Sequence, residues 1–179
     1  NSRNPVTLTH RIQQKRVVYL DKEYIVASSA DTEQRFALSE IPLTKNGLIR
    51  FQIQNVMAAI GAGWALGIDW TLIRAGLANF VGDTQTVPGR FNFFNYRDAT
   101  LIADYGHNPD AIEALVDAID NLPSKKRTVV ISAAGDRRNQ DIRLQTQILG
   151  DVFDEVVLYQ DQCQRGRADG EVLGLLREG

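Results

Sequence analysis

The feature that most constrains the fold is a regular alternation of short β-rich segments with helical segments in the second half of the sequence. Strands joined by helices of roughly a dozen residues form βαβ units, and such units build a mostly parallel sheet. The sequence therefore predicts an α/β fold with a Rossmann-like, mostly parallel sheet. The predicted strands are 90–96, 100–105, 127–135 and 155–160, and the predicted helices are 109–121, 139–150 and 170–178.

The first half of the sequence has a different pattern. The first fifty residues are predicted to form short strands, among them 15–21 and 23–29, which a tight turn separates. Small and apolar residues predominate in residues 54–66, which predicts a helix buried on most sides. Gly67 is placed to end that helix, and Asp69 is placed to cap the next one. The apolar positions of this second helix are Leu72, Ile73, Leu77 and Phe80.

Residues 81–90, VGDTQTVPGR, interrupt the periodic pattern with two glycines and one proline. Because this composition is typical of a loop, we interpret the segment as a linker between two domains, residues 1–87 and 88–179. The glycines of GAGWALG, residues 61–67, lie inside a predicted helix. Close helix packing therefore explains them better than a dinucleotide-binding loop, which follows a strand.

Composition limits the classes of protein to consider. The net charge of −2 argues against a surface for nucleic acid or anionic membrane. No apolar run reaches the roughly 18–20 residues of a membrane span, and the N-terminus has no signal-peptide pattern. The single Cys163 excludes an internal disulfide, and we interpret it as incidental. We therefore expect a globular cytoplasmic protein that binds neither nucleic acid nor membrane.

A polar cluster, DYGHN, follows the predicted strand 100–105. In open α/β sheets ligands bind beyond the carboxyl ends of the strands. Asn108 can cap the following helix, which explains that residue without any ligand. Asp104 can accept both hydroxyls of a ribose, and Tyr105 or His107 can lie against a purine. The alternative is a polar strand end with a hydrogen-bonded histidine.

Two further charged loops follow predicted strands. In AAGDRRNQDIR, residues 133–143, Gly135 permits a tight turn beside an acid and two arginines. Arginine suits phosphate or carboxylate, and the acid suits a cation. The alternative is a solvated turn with an ion pair inside the loop. In DQCQRGRADGE, residues 161–171, two arginines flank a glycine, and a solvated charged loop is the alternative there.

Several of these motifs together resemble the Mur ligases, the ATP-dependent amide ligases of peptidoglycan synthesis. PGRF matches that family's Gly-Arg motif, and DYGHNPD matches its Asp-Tyr-(Ala/Gly)-His-x-Pro motif. The resemblance is closer to the cyanophycin synthetases, whose arginine-adding half is similar to Mur ligases. It runs from about Ile41 to the end of the chain. The motifs in that order are FQIQNVMAAIGAGWALGI, PGRFNFF, DYGHNPDA, GDRR and RGRADGE.

The resemblance implies the C-terminal part of a Mur-type central ATPase domain, followed by a C-terminal Rossmann-like domain. It implies an acid–amine ligase that uses ATP and Mg²⁺ and proceeds through an acyl phosphate. In the cyanophycin branch, arginine is joined to the β-carboxyl of aspartate in an aspartate polymer. We also expect the full-length form to be a homo-oligomer.

Site residues are carried over position by position. Gln52 and Asn55 are expected near the adenine, and Arg90 is expected to face the nucleotide phosphates. Asp104 is expected to bind the ribose. The residues expected around ribose and base are Tyr105, His107 and Asn108. The residues expected toward the second substrate are Asp136, Arg137, Arg138, Arg165 and Arg167. No catalytic residue and no metal ligand is assigned within the chain.

The sequence contains no Gly-Lys dipeptide and therefore no phosphate-binding loop of the form G-x-x-x-x-G-K-[ST]. Without that loop the transferring phosphoryl group has no cradle. We therefore expect a fragment that does not ligate alone, with the Mg²⁺ ligands mainly outside it. Two alternatives remain: a peptidoglycan peptide ligase, and a non-catalytic nucleotide-binding or assembly module.

Overall fold

The chain divides at Ala103 into two units, Asn1–Ala103 and Asp104–Gly179, and each is described by itself. The structure is a computed structural model that describes residues 1–162 and 164–179. Cys163, interpreted above as incidental, lies outside the described residues. Within the described residues, no helix has both the length and the apolar character needed to cross a membrane. The predicted domain limits, 1–87 and 88–179, stay a prediction.

A three-stranded antiparallel sheet is the base of the N-terminal unit, with strand order β1-β2-β3. Helices flank it, and a separate antiparallel hairpin of two strands ends the unit. The elements are α1 Pro5–Ile12, β1 Val17–Asp21, β2 Tyr24–Ser28, β3 Glu33–Ala37, α2 Arg50–Ala65, α3 Trp70–Asn79, β4 Asn92–Tyr96 and β5 Ala99–Ala103. Two single 3-10 turns, Leu38–Glu40 and Pro42–Thr44, lead into α2.

The main core of this unit lies between the sheet and α2. Strand pairing aligns Leu20 with Ile25 and Ile25 with Phe36, so these three side chains point to one face of the sheet. Ile25 and Phe36 are buried there with Val56 and Ile60 of α2. The alternate residues on one face of the strands and the residues on one face of α2 therefore form one apolar layer.

The prediction that the first fifty residues form only short strands is wrong for α1. Asn4 caps this helix, because its side-chain oxygen accepts hydrogen bonds from the backbone N–H of Val6 at 2.9 Å and of Thr7 at 3.4 Å. Pro5 occupies the first helical position, where its missing N–H costs nothing. The Asn-Pro start signal was present in the sequence, but an eight-residue helix gives little periodicity.

Helix α2 is buried along one face only, so the prediction of burial on most sides is wrong for this chain. Its buried residues are Gln52, Ile53, Val56, Ile60 and Gly63. The opposite face carries mainly alanines and ends at Leu66, which is 79% exposed. A Cβ added to Gly63 would lie 3.2 Å from Ile73 Cδ1 of α3, which supports the interpretation of its glycines as packing residues.

The caps around α2 and α3 confirm the sequence analysis. Gly67 has a left-handed backbone with φ +74°, and the N–H of Ile68 reaches back to the carbonyl of Gly63 at 2.9 Å. Asp69 accepts a hydrogen bond from the N–H of Thr71 at 2.8 Å and so caps α3. Of the apolar positions predicted for α3, Ile73 and Leu77 pack on the core, whereas Leu72 is 64% exposed.

The C-terminal unit has the predicted alternation of strands and helices, and its strands β6 and β7 are parallel. The α/β fold class is confirmed, with mixed sheets in the chain because the β4–β5 hairpin is antiparallel. The elements are α4 Pro109–Asp120, β6 Thr128–Ile131, α5 Asn139–Gly150, β7 Glu155–Leu158 and α6 Glu171–Glu178.

The three helices of this unit cover one face of the β6–β7 sheet. Ile131 packs with Ile112 of α4 and Leu149 of α5, and Leu158 contacts both apolar clusters of the unit. On the opposite face Val130 is 63% exposed and Val157 is 46% exposed. Helix packing therefore covers one face of the sheet and leaves the other face exposed.

We predict that Ile60→Ala lowers the free energy of unfolding of the chain by about 2–5 kcal/mol, because it removes a fully buried side chain. Leu72→Ala is the matched control, and its effect should stay within about 0.5 kcal/mol, because Leu72 is exposed. Urea unfolding followed by circular dichroism measures both changes. Equal losses in the two variants would contradict the position of α3 on the core.

Candidate functional site

Gln52 and Asn55 lie one turn apart at the start of α2 and are joined by a hydrogen bond. The Asn55 side-chain nitrogen donates to Gln52 Oε1 at 3.0 Å. Gln52 is buried and Asn55 is exposed. The structure therefore brings these two predicted adenine-side residues together and presents the Asn55 amide to solvent.

Arg90 lies on the loop between α3 and β4, and the residues on either side of it have left-handed backbones. Gly89 has φ +71° and Phe91 has φ +53°. Phe91 is 4% exposed and makes edge-on contacts with Phe51 of α2 at 5.2 Å and with Phe93 of β4 at 5.3 Å between ring centroids. Because Phe51 precedes Gln52, the aromatic cluster ties the Arg90 loop to the end of α2 that carries the adenine-side residues.

The loop that was interpreted as a linker has an internal hydrogen-bond frame. Asn92, which is 1% exposed, accepts from the N–H of Gly89 at 2.7 Å and donates to the carbonyl of Gly82 at 3.1 Å. Asp83 accepts from the N–H of Thr86 at 2.8 Å. Sequence reasoning did not single out Asn92, although an asparagine in a β-rich segment is unusual enough to suggest such a role.

The segment 104–108 is a turn whose polar side chains bond to its own backbone. Asp104 Oδ1 accepts from the N–H of Gly106 at 2.7 Å, and Asn108 caps α4 by accepting from the N–H of Ala111 at 2.9 Å. His107 Nδ1 lies 2.9 Å from the carbonyl of Tyr105, so it must carry the hydrogen that it donates. In the neutral ring, Nε2 is then an acceptor.

Arg165 joins the segment 104–108 to the loop after β6. Its guanidinium donates to Asp136 Oδ2 at 3.0 Å and to the Tyr105 hydroxyl at 3.3 Å. The Tyr105 ring also lies 5.2 Å from the ring of His107, measured between centroids. Four predicted site residues from three separate loops therefore form one contiguous cluster.

Arg167 holds together the loop after β6 and the loop after β7. Its guanidinium donates to the carbonyl of Gly135 at 2.5 Å and to that of Arg137 at 2.6 Å, and it pairs with Glu171 at 2.5 Å. The loops touch so closely that a Cβ on Gly135 would clash with the carbonyl oxygen of Gln164. The guanidinium of Arg167 is thus committed to backbone carbonyls and to Glu171.

The remaining two arginines predicted toward the second substrate differ from each other. Arg138 makes a two-pronged ion pair with Asp141, with contacts of 2.9 and 2.8 Å, at the first turn of α5. Arg137 Nε is buried and has no hydrogen-bond partner within the described residues. A buried donor without a partner is uncommon in native proteins and suggests a ligand or a water at that position. Arg137 therefore differs from Arg138, Arg165 and Arg167, whose guanidinium groups bond acids or carbonyls.

Ion pairing lowers the pKa of three acids in and beside the cluster. The hydrogen bond from Arg165, together with its positive charge, lowers the pKa of Asp136 below its ordinary value of 3.8. Arg138 lowers the pKa of Asp141 in the same way, and Arg167 lowers the pKa of Glu171. The ion pair inside one loop that the sequence suggested is present for Arg138, whereas Asp136 pairs with a different loop.

The pKa of Asp136 provides a direct test of this network. Because its folded-state pKa is lowered, the pair stabilises the fold above the ordinary value of 3.8, and this contribution is lost as the pH falls through the folded-state pKa. We predict that Arg165→Met raises the Asp136 pKa toward 3.8, as measured by carboxyl NMR titration. The control Arg143→Met, which removes the ion pair with Glu178, should leave it unchanged.

The structure thus places the site residues in two groups, one in each unit. Gln52, Asn55 and Arg90 belong to the N-terminal unit, and the other residues belong to the C-terminal unit. Within the described residues, no three His, Cys, Asp or Glu side chains form a cluster that could hold a metal ion. The nucleotide and substrate roles of all these residues stay predictions.

Sequence comparison finds relatives among amide ligases. The chain is 37% identical over 139 residues to a cyanophycin synthetase of Crocosphaera subtropica and 32% identical over its whole length to that of Synechocystis. It is 31% identical over 144 residues to the UDP-N-acetylmuramoyl-L-alanyl-D-glutamate–2,6-diaminopimelate ligase of Geobacter metallireducens. The chain spans 16%, 20% and 27% of the length of these three proteins, respectively. The three alignments include 78%, 100% and 78% of the chain.

Structural comparison gives the same fold. The E. coli FolC structure in complex with ADP aligns with 97% of the chain and 40% of FolC, at a TM-score of 0.64 and 22% identity. MurF from Acinetobacter baumannii aligns with 79% of the chain and 30% of MurF, at a TM-score of 0.57 and 21% identity. The family model of the Mur ligase, glutamate ligase domain matches residues 89–175. Residues 89–175 therefore match the Mur ligase, glutamate ligase domain, and the chain has the fold of these ligases.

Proposed function

We propose that the chain is part of an ATP-dependent acid–amine ligase that adds arginine to the β-carboxyl of aspartate in cyanophycin. The observation that carries the proposal is the cluster in which Arg165 joins Tyr105 to Asp136. It combines aromatic and ionic groups at the strand ends, where α/β sheets bind ligands. The similarity to cyanophycin synthetases, up to 37% identical, supports the same reaction.

The polar and charged side chains at the predicted positions suit a nucleotide, whose phosphates activate the carboxylate. In the N-terminal unit the proposed role of Arg90 is to contact the phosphates, because its guanidinium matches phosphate oxygens through two hydrogen bonds. In the same unit Gln52 with Asn55 offers amides to the adenine. In the C-terminal unit Asp104 and His107 offer acceptors to ribose and base. The ADP complex of FolC, which shares the fold, supports a nucleotide in this class of protein.

The second-substrate side suits an amino acid with charges of both signs. Arg137 has a buried Nε donor that finds no partner among the described residues, which suits the α-carboxylate of arginine. Asp136 is kept ionised and half-exposed, which suits a substrate guanidinium. Arg138, Arg165 and Arg167 are engaged with acids and carbonyls, so their proposed role is to shape this side.

We also propose that the complete ligase is a longer cytoplasmic protein, and that the groups holding Mg²⁺ lie mainly outside this chain. Phosphoryl transfer needs a phosphate cradle and charge neutralisation, and the sequence has no Gly-Lys dipeptide to provide that cradle. The chain alone is then inactive. The homo-oligomeric state stays a prediction.

A peptidoglycan peptide ligase is the second candidate, because the Geobacter relative is 31% identical and carries that name. The two candidates differ in both substrates. We predict that the complete polypeptide containing this chain releases phosphate from ATP when it is given arginine and an aspartate polymer. A UDP-linked muropeptide with diaminopimelate should give no release above background.

Release with the muropeptide alone would favour the peptidoglycan ligase. ADP binding without turnover on either substrate pair would favour the non-catalytic module. Turnover by the 179-residue chain itself at an enzymatic rate would contradict the proposal that it is part of a longer ligase. The mass of the native polypeptide, compared with the 20.0 kDa of this chain, gives an independent check.

We predict that Arg137→Met in the complete protein raises the KM for arginine by about tenfold or more, the loss expected for a charge-assisted hydrogen bond. The KM for ATP should change little, because the substitution is confined to the amino-acid side. Arg143→Met removes a guanidinium of the same unit outside the cluster and serves as the control. An unchanged KM for arginine in the Arg137 variant would contradict this assignment.

A further inference from the structure

The backbone around Arg90 has an unusual conformation that needs support. Phe91 has φ +53°, a left-handed region that bulky side chains rarely adopt, and Gly89 has φ +71°. Such conformations persist only where the surrounding structure holds them. The contacts that hold this turn therefore determine where the Arg90 side chain begins.

Asn92 supplies most of those contacts from one fully buried amide. Its nitrogen lies 3.1 Å from the carbonyl of Gly82, 3.2 Å from that of Val87 and 3.4 Å from that of Arg90. Its oxygen accepts from the N–H of Gly89 at 2.7 Å. One side chain thus bonds the two ends of the loop and the residues on both sides of the turn.

Only an amide of this length meets these requirements. The site needs a donor toward three carbonyls and an acceptor toward one N–H, and an asparagine amide has both. Aspartate would place a charged oxygen against carbonyl oxygens, and alanine would leave the carbonyls of a buried site without a donor. The loop that carries Arg90 is what requires an amide at position 92. The hairpin does not require it, because β4 pairs with β5 through its backbone.

We propose that Asn92 is a positioning residue that fixes the direction of Arg90 toward the nucleotide phosphates. The inference rests on the proposed role of Arg90, and it adds a residue that touches no ligand. The Phe51–Phe91 contact adds to this positioning, because it holds the Arg90 turn at a fixed distance from the α2 turn that carries Gln52.

A double-mutant cycle in the complete protein tests the proposal. The dissociation constant of ADP is measured by calorimetry for wild type, Arg90→Ala, Asn92→Ala and the double variant. We expect Asn92→Ala to weaken ADP binding about tenfold in the wild type and less than about twofold in Arg90→Ala, because positioning has no effect without the positioned group.

The control is Thr44→Val, which removes the buried hydroxyl that donates to the carbonyls of Leu38 and Ile41. We expect Thr44→Val and Asn92→Ala both to lower the unfolding temperature, and Thr44→Val to leave the ADP dissociation constant unchanged. If Asn92→Ala does not fold, Asn92→Ser, which keeps one donor and one acceptor, replaces it in the cycle.

The outcomes separate the two levels of the proposal. An ADP dissociation constant that Arg90→Ala does not change would contradict the phosphate role of Arg90, and the positioning role would fall with it. If Arg90→Ala weakens binding but Asn92→Ala weakens it equally in both backgrounds, Arg90 keeps its role and Asn92 is only structural. The inference is supported if Asn92→Ala has almost no effect on ADP binding in the Arg90→Ala background and Thr44→Val leaves the ADP dissociation constant unchanged.

Discussion

The guanidinium of Arg167 is the interaction on which the C-terminal site depends. It bonds the carbonyls of Gly135 and Arg137 and pairs with Glu171, so it joins the loop after β6 to the start of α6. Backbone carbonyls at a loop tip have no partner in the sheet, and an arginine fork satisfies two of them at once. With the loop fixed in this way, Asp136 meets Arg165, and Arg165 in turn meets Tyr105.

The two units meet the same physical problem with different groups. In the N-terminal unit a neutral amide, Asn92, gathers the loop, because the position is fully buried and a charge there would be costly. In the C-terminal unit the bridging groups Arg165 and Arg167 are charged. Arg165 is 40% exposed, whereas Arg167 is 15% exposed and pairs with Glu171. The charged groups that organise the C-terminal loops are therefore matched by acidic partners, Asp136 for Arg165 and Glu171 for Arg167.

The sequence predicted the features that depend on near neighbours along the chain. Asp69 and Asn108 were identified as caps because a cap needs only a side chain and an N–H two or three residues away. The strand–helix alternation was predictable for the same reason. Long-range pairs were not: the bond from Arg165 to Tyr105 spans 60 residues. The one-sided burial of α2 depends on which elements pack against the helix. The composition of the helix does not indicate those elements.

The exposed face of the β6–β7 sheet has a practical consequence. Parallel sheets are normally covered on both faces, but Val130 and Val157 face outward here, and the sheet has two strands in the described part of the chain. An exposed apolar patch on the face of a sheet favours association with another apolar surface. Concentrated solutions of the isolated chain should therefore self-associate through this face, and a charged residue at position 130 or 157 should improve its behaviour during purification.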